Sequence, residues 1–339
     1  MILSIAYNED MSFRTFLSLA TIVLLGVIVY FARNEITHAW SLLGEVNIWL
    51  LLLLIPGQML VYYAAGEMIF SYLRSKKSIQ DINGAVLARM ALEMNFVNHI
   101  LPSGGVSGVS YMNWRLGHYG VSAGRATMAQ VVRFAASFGA FIVLLFVAVF
   151  VVTIDGRINR WIILLSSLLV GLMLTTIALG MFLLSSKVRL DRFSSWLHRA
   201  SSVFIQRVTF GRRVQLFAHE SVHLFFEELH NDYVALNRDK RVLVKPFLWG
   251  LVFNAGDALL FMITFWALGT SVNPAVILIA YGEAALAAVF VAPPVRDGAY
   301  EVIMVSFSAM AGVCSSTELA GVVLTRFFFI IGYIRFGLL

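Results

Sequence analysis

Nine charged side chains lie within or beside stretches that are otherwise apolar: Arg89, Glu93, Arg133, Asp257, Glu283, Arg296, Asp297, Glu301 and Arg326. A lone charge at the centre of a bilayer costs at least ~2.5–3.5 kcal/mol on insertion scales, so such groups must face a protein interior or a wet cavity. Arg89 and Glu93 are four residues apart and share a helical face, where they could neutralise each other. For that pair an internal salt bridge and a functional role are both open. Arg133 and Arg326 have no acid within a helical turn on their own segments. A guanidinium without a fixed partner, near free backbone N–H groups, suits a phosphate. The competing reading pairs these arginines with Glu283 or Glu301. Asp257, Glu283 and Glu301 are the candidates for a proton-linked step.

The stretch Asn98–Gly108, NHILPSGGVSG, breaks an apolar segment with residues that favour turns. In hydrocarbon, irregular backbone is tolerated only where protein or cavity water satisfies it. Gly104, Gly105 and Gly108 permit a turn and let another group approach the main chain. Pro102, like Pro294 further on, ends a helix by removing a donor. Asn98 and His99 could hydrogen-bond the freed groups.

A third pattern points elsewhere. His219–His223 reads HESVH and fits H-E-x-x-H, the zinc face of metalloproteases. Glu227, Glu228 and His230 follow, but the surroundings read as a charged amphipathic helix, not a transmembrane one. Charged residues on the wet side of a surface helix are the favoured reading, and no metal or other cofactor is expected.

The elements that must hold these groups are membrane helices. Of the 339 residues, 60% are hydrophobic and 13% charged, with a mean hydropathy of +0.84. A soluble domain carries about a quarter charged residues. Uncharged runs at Leu17–Phe31, Ile48–Ala65, Phe134–Ile154 and Trp161–Ser185 make this an integral membrane protein. The leader MILSIAYNEDMSFR lacks the features of a cleavable signal and is expected to precede a retained first span. One cysteine, Cys314, excludes an intrachain disulfide. The net charge of +6 is no argument for nucleic acid here; its placement speaks to orientation.

Six full spans are expected: Phe13–Ala32, Val46–Gly66, Ala126–Ile154, Trp161–Ser185, Pro246–Gly269 and Leu319–Gly337. Basic patches at Tyr72–Ser78, Arg115–Arg125 and Lys187–Lys245 should all face the cytoplasm. The last holds eleven Lys/Arg against six Asp/Glu and should form amphipathic helices at the membrane surface. Patches on one side at both ends of Ile82–Arg125 leave no net crossing, so that segment is expected to be a re-entrant hairpin. Pro274–Gly312 should dip in from the other face, and the N-terminus should be cytoplasmic.

The halves share a layout. Pro102 to Gly120 and Pro294 to Gly312 are both 18 residues, and the next intramembrane arginine, Arg133 or Arg326, follows after 13 residues in one half and 14 in the other. With three spans in each half, 1–155 and 156–339 form an inverted repeat, an arrangement transporters use to open a central site alternately to either side. The expected fold is therefore an all-α polytopic membrane protein with two re-entrant helical hairpins.

NHILPSGGVSGVSY followed by GVS and Arg133, and APPVRDGAYE followed by GV and Arg326, resemble the membrane domain of lysylphosphatidylglycerol synthase. This is the flippase part of multiple-peptide-resistance factors, which also has stand-alone relatives. The second motif of that family usually reads P-x-G-x-G-x-x-E. Gly298 and Glu301 match its end, whereas Val295–Asp297 stand where glycine is expected.

The resemblance covers the chain from the first span to the last. It implies a bacterial or archaeal plasma-membrane protein that moves lipids between leaflets, with re-entrant helices around a central cavity. It also implies that the aminoacyl-transferase domain is absent, so no enzymatic activity is expected. The expected ligand is a phosphate-bearing lipid, held by Arg133 and Arg326 between the hairpin tips. Among proteins, a cytoplasmic lipid-modifying enzyme and a second copy of the chain are the candidate partners. A different reading makes the protein a non-transporting scaffold that recruits such an enzyme through Lys187–Lys245.

Overall fold

The computed structural model describes residues 46–100, 106–154, 160–193, 195–196, 219–290 and 304. These residues form helices and short turns, with no strand among them. In chain order the helices are α1 (Ile48–Leu52), α2 (Leu54–Ser75), α3 (Gly84–Ile100), α4 (Val106–Gly117) and α5 (Ala123–Ile154). They continue with α6 (Arg160–Leu184), α7 (His219–Arg238), α8 (Val244–Ala267) and α9 (Pro274–Phe290). A 3₁₀ turn at Lys240–Leu243 leads into α8.

Four segments are long and apolar enough to cross a bilayer: Ile48–Ser75, Ala123–Ile154, Ile163–Leu184 and Lys240–Ala267. They coincide with four of the six expected spans. The expected first and sixth spans lie outside the described residues. The outward faces of α5 and α6 agree with a lipid environment. Phe146 and Phe150 are 65% and 66% exposed, and Leu168 and Leu179 match them at 65% and 66%. Large apolar side chains exposed in a continuous belt are costly in water and neutral in hydrocarbon.

The long α5 is the centre of the bundle. It packs against α2, α4, α6, α7, α8 and α9. The most extensive contact in the molecule joins α2 to α8. The two run antiparallel: at one end the Asn47 amide donates to the Ala267 carbonyl at 2.9 Å, and at the other Arg74 and Lys245 line one cavity. Lipid tails are as apolar as Leu, so helices in a membrane associate through close packing and interhelical hydrogen bonds. Small residues make that approach close. A Cβ at Gly256 of α8 would come within 2.7 Å of the Val61 side chain on α2. One at Gly250 would lie 2.9 Å from the Ala136 carbonyl oxygen and 3.1 Å from the Ala140 Cβ on α5. Asn254, one turn on, donates across the same contact to the Ser137 carbonyl at 3.1 Å.

The second expected span differs in length. The sequence reading ends it at Gly66, before the first charge, whereas α2 runs on to Ser75. Glu67 is 2% exposed, and both its carboxylate oxygens receive Arg74 guanidinium nitrogens at 2.7 Å. A bidentate pair two turns apart on one helix face neutralises the charge that a hydropathy reading takes for a boundary.

Within the basic stretch, α7 docks on the bundle. Phe226 and Leu229 are buried, Arg125 of α5 reaches Asp232 at 3.4 Å, and Lys187 reaches Glu227 at 2.7 Å. The hydrogen bond to Glu227 raises the pKa of the Lys187 ammonium above its usual value. The His230 Nδ1–H donates to the Leu184 carbonyl at 2.8 Å, satisfying one free carbonyl at the end of α6.

The closeness at Gly250 leads to a test. Gly250→Val should cost about 1–3 kcal/mol, since the facing atoms are backbone and a short Cβ with no room to retreat. Thermal unfolding in detergent should show the lower Tm, with Gly171→Val, at a site with nothing near it, as the tolerant control.

Candidate functional site

The hairpin expected around NHILPSGG is present as two helices packed on one another, α3 and α4, with residues 101–105 between them outside the described set. Pro102, Gly104 and Gly105 therefore lie outside the described residues. The hydrogen bonds just below the tip are well defined. The Gly108 amide donates to the Asn98 Oδ1 at 2.8 Å, and the Ser107 hydroxyl donates to the Val97 carbonyl at 3.3 Å. Gly108 sits inside α4, where its lack of a side chain makes room for Asn98. Of the two uses expected of it, a turn and the close approach of another group, the described structure has the second.

Glu93 joins the arms lower down. It accepts from Arg89 Nε at 2.9 Å on its own helix, so the anticipated pair forms. It also takes the Tyr111 hydroxyl and lies 3.8 Å from Arg115 Nε, both on α4. Tyr111 and Arg115 carried no signal in the sequence, because the residues that meet Glu93 are separated from it by the hairpin turn. Glu93 thus braces the hairpin, and Arg89 pairs with it on its own helix.

Arg133 occupies the place where α5 meets the first arm. Its guanidinium lies 3.5 Å from the Met94 sulfur and 3.5 Å from the Gln130 Oε1, with the Phe134 ring 5.5 Å from its carbon centre. Among the described residues no carboxylate lies within ion-pair distance of it. Gln130 is buried, and its Nε2 has no acceptor among the described residues. Arg133, held by these long contacts alone, and the unsatisfied Gln130 Nε2 therefore lie side by side near the hairpin.

Asp257 lies on α8 and accepts from the Tyr281 hydroxyl of α9 at 2.7 Å. Among the described residues no cation pairs with it. Glu283 is in α9, two residues beyond Tyr281, with its side chain outside the described set. Pro294, Gly298, Glu301 and Arg326 are outside it altogether, as are Arg296 and Asp297.

His219, Glu220 and His223 fall in the first turns of α7, with side chains outside the described set. Glu227 and His230, the neighbours that could have extended a metal site, hold Lys187 and the Leu184 carbonyl. Among the described residues no group of three metal-binding side chains occurs.

Residues 15–337 match the family described as the lysylphosphatidylglycerol synthase TM region. The chain belongs to this family. No curated protein and no solved structure matches it. Membership covers nearly all of the chain, and it accords with the apolar helices in making this a membrane protein of a lipid-related family.

The bracing of the hairpin can be tested directly. Asn98→Ala leaves the buried Gly108 amide without its acceptor and should cost about 1–3 kcal/mol. Glu93→Ala should loosen the lower half of the hairpin. Hydrogen exchange should rise in α3 and α4 of both variants, with α8 unaffected.

Proposed function

We infer that the protein is a flippase that moves a phosphate-bearing lipid, or a lipid-linked carrier, between leaflets of a bacterial or archaeal plasma membrane. The observation that carries this reading is Arg133. It is a cation on a membrane-length helix, with no carboxylate near it among the described residues and an unsatisfied Gln130 donor beside it. A phosphate supplies what both groups lack. Membership in the lysylphosphatidylglycerol synthase TM region family supports a lipid as the bearer of that phosphate.

In this reading Arg326, from the second half, faces the same headgroup, and the acyl or prenyl tail stays in the bilayer. The hairpin α3–α4 is re-entrant, and α9 is the first arm of its inverted counterpart. In the sequence each first arm is followed within a few residues by proline, Pro102 after α3 and Pro294 after α9. Exchange between the two halves would open the headgroup site to one side and then the other. The lipid leaves chemically unchanged, so the protein is not an enzyme. The N-terminus is cytoplasmic, as are the basic patches.

The sequence carries no phosphate-binding P-loop, so movement is passive, ion-coupled or drawn by consumption of the lipid downstream. Asp257 is the described candidate for a proton-linked step, with Glu283 and Glu301 beside it in the chain order.

Reconstituted into vesicles with a headgroup-labelled anionic lipid, the wild-type protein should make inner-leaflet label accessible to an external quencher. Arg133→Ala and Arg326→Ala should each abolish this while the protein remains monodisperse and helical; normal transport by both would remove the reading. If the step is proton-linked, Asp257→Asn should flatten the dependence of transport on pH measured across a series of buffered vesicles.

A further inference from the structure

The contact between α2 and α8 opens at one end into a cavity of about 920 Å³, and among the described residues its lining includes none of the functional residues above. Its charged rim combines Glu67 and Arg74 from the end of α2 with Asp239, Arg241 and Lys245 from the start of α8. The charges do not cancel locally. Arg74 is held by Glu67 through two 2.7 Å bonds, and the Asp239 carboxylate accepts from the Arg241 backbone amide at 3.1 Å. The Arg241 guanidinium and the Lys245 ammonium are both exposed, and among the described residues neither has an ion-pair partner.

The other side of the cavity is apolar. Tyr63 and Trp249 meet edge-to-face at 5.5 Å across the two helices, with Leu248 and Val252 on the α8 side. Leu248 is 54% exposed, and Leu60, one turn before Tyr63 on α2, is 50% exposed. Cations at one level, then a Tyr–Trp pair, then exposed aliphatic side chains follow the order of a membrane interface passing into hydrocarbon.

We propose that this groove is a binding site for an anionic glycerophospholipid, with Arg241 and Lys245 on the phosphodiester and an acyl chain along Tyr63, Trp249 and Leu248. A soluble phosphate would use the cations alone; only a lipid uses both sides of the groove. The position at the Lys/Arg-rich ends of α2 and α8 assigns the lipid to the cytoplasmic leaflet. The site does not depend on translocation, since among the described residues its lining includes neither Arg133 nor the arms of the hairpin.

Trp249 gives the test its readout. The full-length protein in detergent is titrated with phosphatidylglycerol carrying brominated acyl chains, and the part of the fluorescence quenching lost in Trp249→Phe is assigned to the groove. That component should be present, should be weaker with brominated phosphatidylcholine, and should survive in Arg133→Ala. Near the surface each cation contributes about one decimal order or slightly less in affinity, so Arg241→Gln with Lys245→Gln should weaken it roughly 30-fold. Should the double variant fail to fold, added salt should weaken the wild-type component in the same direction. No Trp249-dependent quenching, equal quenching by the zwitterionic lipid, or insensitivity to both the double variant and salt would overturn the proposal. Displacement by glycerol 3-phosphate at matching concentration would also overturn it, assigning the cations to a free phosphate.

Discussion

A polar group inside a membrane must find its partner within the protein, and most of the described architecture follows from that constraint. It makes the segments helical, because only there does each backbone amide meet a carbonyl of its own segment. It explains why Glu67 can lie buried in α2, since Arg74 returns to it two turns later along the same face. It explains why Asn254 sits in the α5–α8 contact, with its amide shared between the Ser137 and Gly250 carbonyls. The hairpin obeys it too: Asn98 takes the Gly108 amide where the two arms begin to separate.

Against that background, the groups that break the rule stand out. Among the described residues Arg133 donates to the Gln130 Oε1 and to a methionine sulfur, both at 3.5 Å, and the Gln130 Nε2 has no acceptor. They lie on α5, the helix that touches nearly every other element, and against the first arm of the hairpin. Position and unmet chemistry agree in this place, which is why the proposed headgroup site is centred on it.

The α2–α8 groove has a different setting. Its cations are exposed and lie at helix ends, whereas Arg133 lies within a span. Exposed cations at an interface attract anionic headgroups at modest strength and with strong salt dependence. A cation inside the bundle, by contrast, is selective because water competes less for the ligand. The two proposed sites thus suit different tasks, the one proposed for a lipid of the surrounding leaflet and the other for a headgroup in transit.

Hydrophobic runs by themselves determined the class of this protein and the approximate place of four spans, because burial in lipid requires long apolar stretches whatever the packing. Spacing determined the Arg89–Glu93 pair, since four residues on a helix always share a face. The tertiary structure decided the rest, because it depends on which helices touch. Glu67 became part of a span through Arg74, where a charge in the sequence reads as an end. Glu93 gained Tyr111 and Arg115 from the returning arm, Asp257 gained Tyr281 from the next helix, and Gly108 proved to be a seat for Asn98. Antiparallel packing alone brought Arg74, Arg241 and Lys245 to one rim across more than 160 residues of chain. Contacts between distant segments leave no periodic trace in either segment, so only the folded arrangement could show them.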